Sequence, residues 1–270
     1  MRGTAPASGP HIVMHELAAG VWVSTSRTMQ TNSTILVGET EAFLIDPAWH
    51  DDELDAIADF LVERGLTVVG GLATHPHHDH LLWSDRFGTA PRWASERTVR
   101  LAETEREALL EGLGERASAR TRALMGRVAP TASLTEAMLP PGIVAELIVH
   151  DAHAPGHTAA WLPRQRVLIA GDMLSDVELP LPFDPDDVTA YLRGLAALEP
   201  YAQRAALVIP GHGSVGADAS ARLEADRRYL RDVIARGVST DVRIAQPGMA
   251  GEYARLQRLV QETGPSAELT

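Results

Sequence analysis

Thr74-His75-Pro76-His77-His78-Asp79-His80 places four of the chain's 11 histidines within 75–80, directly behind the run TVVGGLAT at 67–74. A β-branched run with no polar alternation suits a strand buried on both faces. Side chains two apart in an extended segment point the same way, so His75 and His77 reach one common point. A turn immediately afterwards lets Asp79 and His80 face a second point nearby. Imidazole and carboxylate ligands of this kind suit zinc, iron or manganese. A dense His/Asp cluster at the end of an apolar strand therefore reads as a metal site in preference to a His-rich surface loop.

Working outward, short β-type runs at 11–17, 20–26, 33–38 and 41–46 precede the cluster, followed by a helix over 51–64 with acids in its first turn and an apolar stripe of Leu54, Ile57, Ala58 and Leu61. Residues 96–127 are the most helical stretch, broken by Gly112 and Gly114. Strand signals return at 144–150, 158–162 and 166–171. A helix start follows, with Asp184 at N-cap and Pro185 at N1. AALVIP at 205–210 is a further buried strand ending at a glycine-flanked histidine, and helices over 218–236 and 249–262 close the chain. Strands alternating with helices, and polar motifs at strand ends, predict an α/β layered fold with its site in loops at one edge of the sheets. We read 1–270 as a single domain, with 1–10 a frayed tail, 86–140 a helical insertion or cover that sets substrate choice, and 217–270 C-terminal helices.

Composition narrows the chemistry. With 270 residues, 45% apolar and 22% charged, the chain is of ordinary globular type. It has no Cys, which removes disulfides, thiolate metal sites and thiol nucleophiles. It also has no Lys, which removes lysine Schiff bases and phosphate-loop lysines. A formal net charge of −12 is a poor match for nucleic acid or an anionic membrane. No run of 18 apolar residues is present, so no membrane span is expected, and the first ten residues do not read as a signal peptide. We expect a cytoplasmic protein acting on a small molecule.

The cluster has the HxHxDH form, and the chain resembles the metallo-β-lactamase superfamily in order thereafter: Pro155-Gly156-His157-Thr158, then Ala170-Gly171-Asp172, then Ile209-Pro210-Gly211-His212-Gly213, with Leu44-Ile45-Asp46 closing an early strand. The resemblance, over about 20–215, implies an αββα four-layer sandwich. It implies that His75, His77 and His157 hold a first metal, that Asp79, His80 and His212 hold a second, and that Asp172 bridges them. Both ions are expected to be Zn2+, with Fe or Mn as alternatives. Asp46 and Thr74 are the candidates for orienting the histidines. Without Cys the match is to the all-His/Asp branch, which contains thioesterases of the glyoxalase II kind and lactonases.

Two divalent cations sharing a water lower its pKa towards neutrality, and the resulting hydroxide attacks a polarised carbonyl with Asp79 as proton acceptor. The expected activity is hydrolysis of an ester, thioester or lactone. The alternatives are an iron-dependent oxidoreductase of the persulfide dioxygenase kind on the same fold, and β-lactamase-type amide hydrolysis, for which an Arg would have to replace the missing Lys as carboxylate anchor. Trp49, His50, Trp83, Ser175 and Phe183 are the candidate pocket residues.

Overall fold

The computed structural model describes residues 13–114, 117–183 and 187–263. The 1–10 tail and the helix cap at Asp184 and Pro185 lie outside them. Within the described residues, the helix after that point is capped one turn later, by the Asp187 carboxylate accepting from Ala190 N–H.

Among the described residues the chain forms two sheets. The first holds seven strands in sequential order: β1 (His15–Ala18), β2 (Val21–Thr25), β3 (Asn32–Val37), β4 (Glu41–Ile45), β5 (Thr67–Leu72), β6 (Arg92–Ala94) and β7 (Ala129–Pro130). Tight connections make β1 to β4 antiparallel. The β4–β5 pair is parallel, and α1 (Asp51–Glu63) provides the crossover that a parallel pair requires. The second sheet has the order β11 (Leu207–Pro210), β10 (Val167–Gly171), β9 (His157–Leu162), β8 (Glu146–His150).

The layers follow from the period-two pattern. In β4, Phe43 and Ile45 join Val21, Val23, Leu36 and Leu72 against Ala160, Leu162, Val167, Ile169 and Ile209 of the second sheet. The alternate residues Ala42 and Leu44 pack on Leu54, Ile57, Ala58 and Leu61 of α1, the stripe expected from the sequence. The outer face of the second sheet is covered by α5 (Val188–Ala202), α6 (Ala219–Arg236) and α7 (Met249–Thr263). Each fully buried Leu, Ile or Phe is worth about 1.5–3 kcal/mol, so a one-residue register slip in β4 would forfeit both interfaces. The result is the expected αββα sandwich. The short helices α2 (Glu96–Thr104) and α3 (Arg106–Leu113) gather over Trp49, Leu81 and Leu82 beside it, and α4 (Ala119–Leu124) follows against the 85–87 turn.

The edges of the two sheets are tied together by a seam of hydrogen bonds beside the site. Asn32 N–H donates to Gly211 O at 2.7 Å, its side-chain amide donates to Pro210 O and Gly213 O at 2.9 Å each, and Thr31 bridges His212. The His cluster at the end of β5, Asp172 after β10 and His212 after β11 all emerge at this edge.

The C-terminal region reaches back to the same edge through Arg243, which donates to Ser175 O at 2.9 Å and Glu178 O at 3.0 Å, and to the buried Asp226 carboxylate at 2.6 Å. Removing one partner of such a pair costs about 3–5 kcal/mol in general. Burial already pushes Asp226 up to about 6 against the pull of Arg243, so it can take up a proton when the cation is lost. We expect Arg243→Met to destabilise by about 3 kcal/mol, the low end of that range, read as a lower urea midpoint at neutral pH. A shift under about 0.5 kcal/mol would show that the 175–178 loop is held by other means.

Candidate metal centre

The site is built on a buried carboxylate and the ends of four strands. Asp46, at the end of β4, accepts Thr74 N–H at 2.8 Å and Thr74 Oγ1–H at 2.6 Å, and it receives His80 Nδ1 at 2.8 Å. Because the Thr74 hydroxyl donates to Asp46, it is free to accept from His75 Nδ1, which lies at 2.9 Å. His212 Nδ1 is turned toward Met29 O at 3.1 Å and Thr31 Oγ1 at 3.2 Å. Three imidazoles thus have Nδ1 tied to the surrounding protein, which fixes the tautomer and leaves Nε2 pointing inward.

Inward, the nitrogens converge on one another. His77 Nδ1 lies 3.0 Å from both His75 Nε2 and His153 Nε2, and His80 Nε2 lies 3.4 Å from His212 Nε2. Asp172 runs between the two groups: Oδ2 is 3.3 Å from His75, His153 and His212 Nε2, and Oδ1 is 3.2 Å from His80 Nε2. Asp79 Oδ2 is 3.3 Å from both His80 and His212 Nε2. Two donor groups result, His75/His77/His153/Asp172 and Asp79/His80/His212.

These residues fit divalent cations. Burial pushes His75 down to about 3 and His77 down to about 4, and it carries His153 well below the imidazole range, so the three histidines of the first group are neutral and offer lone pairs. Such lone pairs facing one another at 3.0 Å cannot all be satisfied by hydrogen bonds, and Asp172 Oδ1 is buried with no hydrogen-bond partner. In the second group burial opposes the charge on His80 and His212, yet Asp172 and Asp79 hold both well above the ordinary imidazole value. A cation between those carboxylates would replace the protons. Burial likewise opposes the charge on Asp79 and Asp172, and the surrounding imidazoles outweigh it, so both are carboxylates.

The structure brings His153, and not His157, to the first group. His157 Nε2 accepts the Asp172 backbone N–H at 3.1 Å, so that lone pair is already used, and its ring stacks between His75 and His150. Gly171, at φ +55°, is what permits this approach, since a Cβ there would stand 2.5 Å from His157 Nε2. His153 is turned inward by the loop before β9, where Asp151 accepts Gly156 N–H at 2.8 Å and Gly156 takes φ +80°.

A cavity of about 850 Å³ opens over both groups and is lined by Trp49, His77, Asp79, His153, Asp172 and His212, with Leu181, Phe183 and Met249 as its apolar wall. Of the expected pocket residues Trp49 and Phe183 line it, and the Phe183 ring centre is 5.5 Å from that of His77 and 5.2 Å from that of His153. His50 instead sits at the start of α1 with Nε2 on Thr28 Oγ1 at 2.8 Å. Trp83 packs on Phe87 and fills the space over Gly71. Ser175 braces the site from behind, its hydroxyl donating to His212 O at 2.8 Å and accepting from Val177 and Glu178 N–H. No described residue of 86–140 lines the cavity; the segments 27–30, 177–183 and 246–252 do. Glu178 was not read from the sequence. It lies with Asp172 and His212 in a third donor grouping, and burial pushes it up to about 7.

Comparison with known proteins agrees with this architecture. A family model described as the Metallo-beta-lactamase superfamily matches residues 26–212. A Pseudomonas aeruginosa protein described as a metallo-beta-lactamase type 2 is 24% identical over 181 residues, covering 62% of this chain and 64% of its own, so less than two thirds of that relative is spanned. Among solved structures, a metallo-beta-lactamase family protein from Thermus thermophilus is 23% identical with a TM-score of 0.64, covering 93% of this chain and 98% of its own. A metallo-beta-lactamase from Pontibacter korlensis is 19% identical with a TM-score of 0.59, covering 79% and 97%. At these identities the structural likeness is one of fold.

Proposed function

The chain belongs to the metallo-β-lactamase superfamily, and from that premise we propose that it is a metal-dependent hydrolase of an ester, thioester or lactone, acting through two divalent cations, zinc by preference. The observation that carries the reading is the pair of imidazole and carboxylate donor groups sharing Asp172 at the floor of an apolar-walled cavity. His75, His77 and His153 would hold one ion, Asp79, His80 and His212 the other, with Asp172 common to both. A pair of cations there supplies a water of lowered pKa and polarises a carbonyl oxygen.

This chain's own residues do the rest. Asp79 lines the cavity, takes the proton of the attacking water and returns it to the leaving oxygen or sulfur. Asp46 and Thr74 hold His75 and His80 in the tautomers that face inward, and His157 fixes Asp172 through its backbone N–H. Trp49, Leu181, Phe183 and Met249 seat an apolar acyl or alcohol portion and exclude water from it. With no Cys in the chain, the donor set is wholly nitrogen and oxygen.

The test is metal quantification combined with a panel of thioesters, lactones, esters, β-lactams and phosphodiesters. Activity on carbonyl substrates is expected to disappear on chelation and return with zinc, without oxygen uptake. Turnover that survives complete metal removal, or that consumes oxygen on a persulfide, would exclude the reading.

A further inference from the structure

We infer, resting on the hydrolase reading above, that the cavity selects carbonyl substrates without a carboxylate, and that Glu178 is a specificity-determining residue for this choice. Among the described residues the arginine that lines the cavity is Arg27, and it is paired with acids outside it. It forms a two-pronged bond with Asp52, 2.8 Å on each prong, and a further bond with the Glu53 carboxylate at 3.1 Å. Glu53 is wholly buried, so moving Arg27 to a substrate would strip the cation from an interior anion. Lysine is absent from the chain, which leaves no second candidate of that kind.

The remaining charged residues of the wall are acids. Glu178 sits beside Asp172 and His212, and its backbone is held there by Ser175 Oγ and Arg243. Glu252, at the other side of the lining, is paired with Arg255, whose guanidinium also covers the Phe183 ring at 4.9 Å. Two divalent ions would bring four positive charges. Asp79 and Asp172 would offset two of these, and Glu178 adds a third acidic side chain at the wall, where an incoming anion would meet it. Around it are Trp49, Leu181, Phe183 and Met249, which reward apolar surface, and Gln30 and Gln246, which hydrogen-bond without charge. An anionic substrate group here would be desolvated beside carboxylates, and the described arginines nearest the wall, Arg27 and Arg255, are already paired with acids. The class that fits is an uncharged, lipophilic ester, thioester or lactone.

The experiment compares two 4-nitrophenyl esters of the same chain length on the zinc-loaded full chain, one tipped with a carboxamide and one with a carboxylate. The matched tips isolate charge from size and polarity. We expect kcat/KM to favour the carboxamide ester by at least about tenfold, the effect of one poorly screened like charge. Glu178→Gln should narrow that ratio by about fivefold with the metal content retained, and Gln246→Arg, at an exposed wall position, should do so by raising turnover of the carboxylate ester. A ratio near one in the parent protein, a ratio unmoved by both substitutions, or narrowing that appears only with loss of metal would overturn the inference. If neither ester is hydrolysed, the ester reading falls. Calorimetric binding of adipamide against adipamate to the metal-loaded protein then decides the charge preference by the same ratio.

Discussion

Asp172→Ala is expected to leave a folded protein that retains at most one metal ion in place of two and turns over its substrate more than about a thousandfold more slowly, beyond the roughly 10²–10³ lost with one electrostatic donor. The reason is geometric. Asp172 stands within 3.3 Å of imidazoles of both groups, with Oδ2 facing His75, His153 and His212 and Oδ1 facing His80. Removing it also takes away the carboxylate that, with Asp79, holds His80 and His212 above the ordinary imidazole value. The second group then loses part of what makes it attractive to a cation. His77→Ala should empty the first group alone, because the His77 ring lies against His75 and His153 on that side. Elemental analysis of dialysed protein, together with initial rates, reads both. Full activity in either variant would sink the two-cation arrangement.

The second large effect separates two histidines four residues apart. His153→Ala should remove one equivalent of metal and with it essentially all turnover, since Nε2 of this residue completes the first group at 3.0 Å from His77 and 3.3 Å from Asp172. His157→Ala should keep the metal and lose activity by about 10–100-fold, the range for residues that orient a ligand. It deprives the Asp172 N–H of its acceptor and leaves a gap under the His75 ring, so the carboxylate is held less firmly. The reverse result, metal lost with His157 and kept without His153, would reinstate the assignment suggested by the Gly156-His157 motif.

That assignment shows where sequence reading succeeds and where it stops. The HxHxDH run, Asp46, Asp172 and His212 were legible because each closes an apolar strand, and strands in layered folds deliver their ends to one edge. His153 was not, because both histidines are compatible with a strand end. What separates them in the structure is the loop conformation around Asp151 and Gly156, together with the backbone N–H of Asp172, just past the end of β10. Glu178 lies in a segment with no periodicity, and it is placed by Arg243, 65 positions further on. The cavity lining at 246–252 was hidden for the same reason: docking of a C-terminal helix depends on tertiary packing that local pattern does not record. The cover at 86–140 drew attention by its length and charge, yet its apolar side chains pack on Trp49, Leu81 and Leu82. The helix start expected at Asp184 lies outside the described residues, and Asp187, an acid close by with the same kind of side chain, accepts from Ala190 N–H.

The seam between the sheets also bears on the order of events during synthesis. Asn32 and Thr31 pair with Gly211 and His212 across some 180 positions, so the two edges cannot close until nearly the whole first 213 residues exist. Contacts of such long sequence separation form late and slowly. A growing chain therefore displays His75 to His80 as an open cluster well before Asp172 and His212 emerge from the ribosome, and the two donor groups are completed only as the last strand of the second sheet docks.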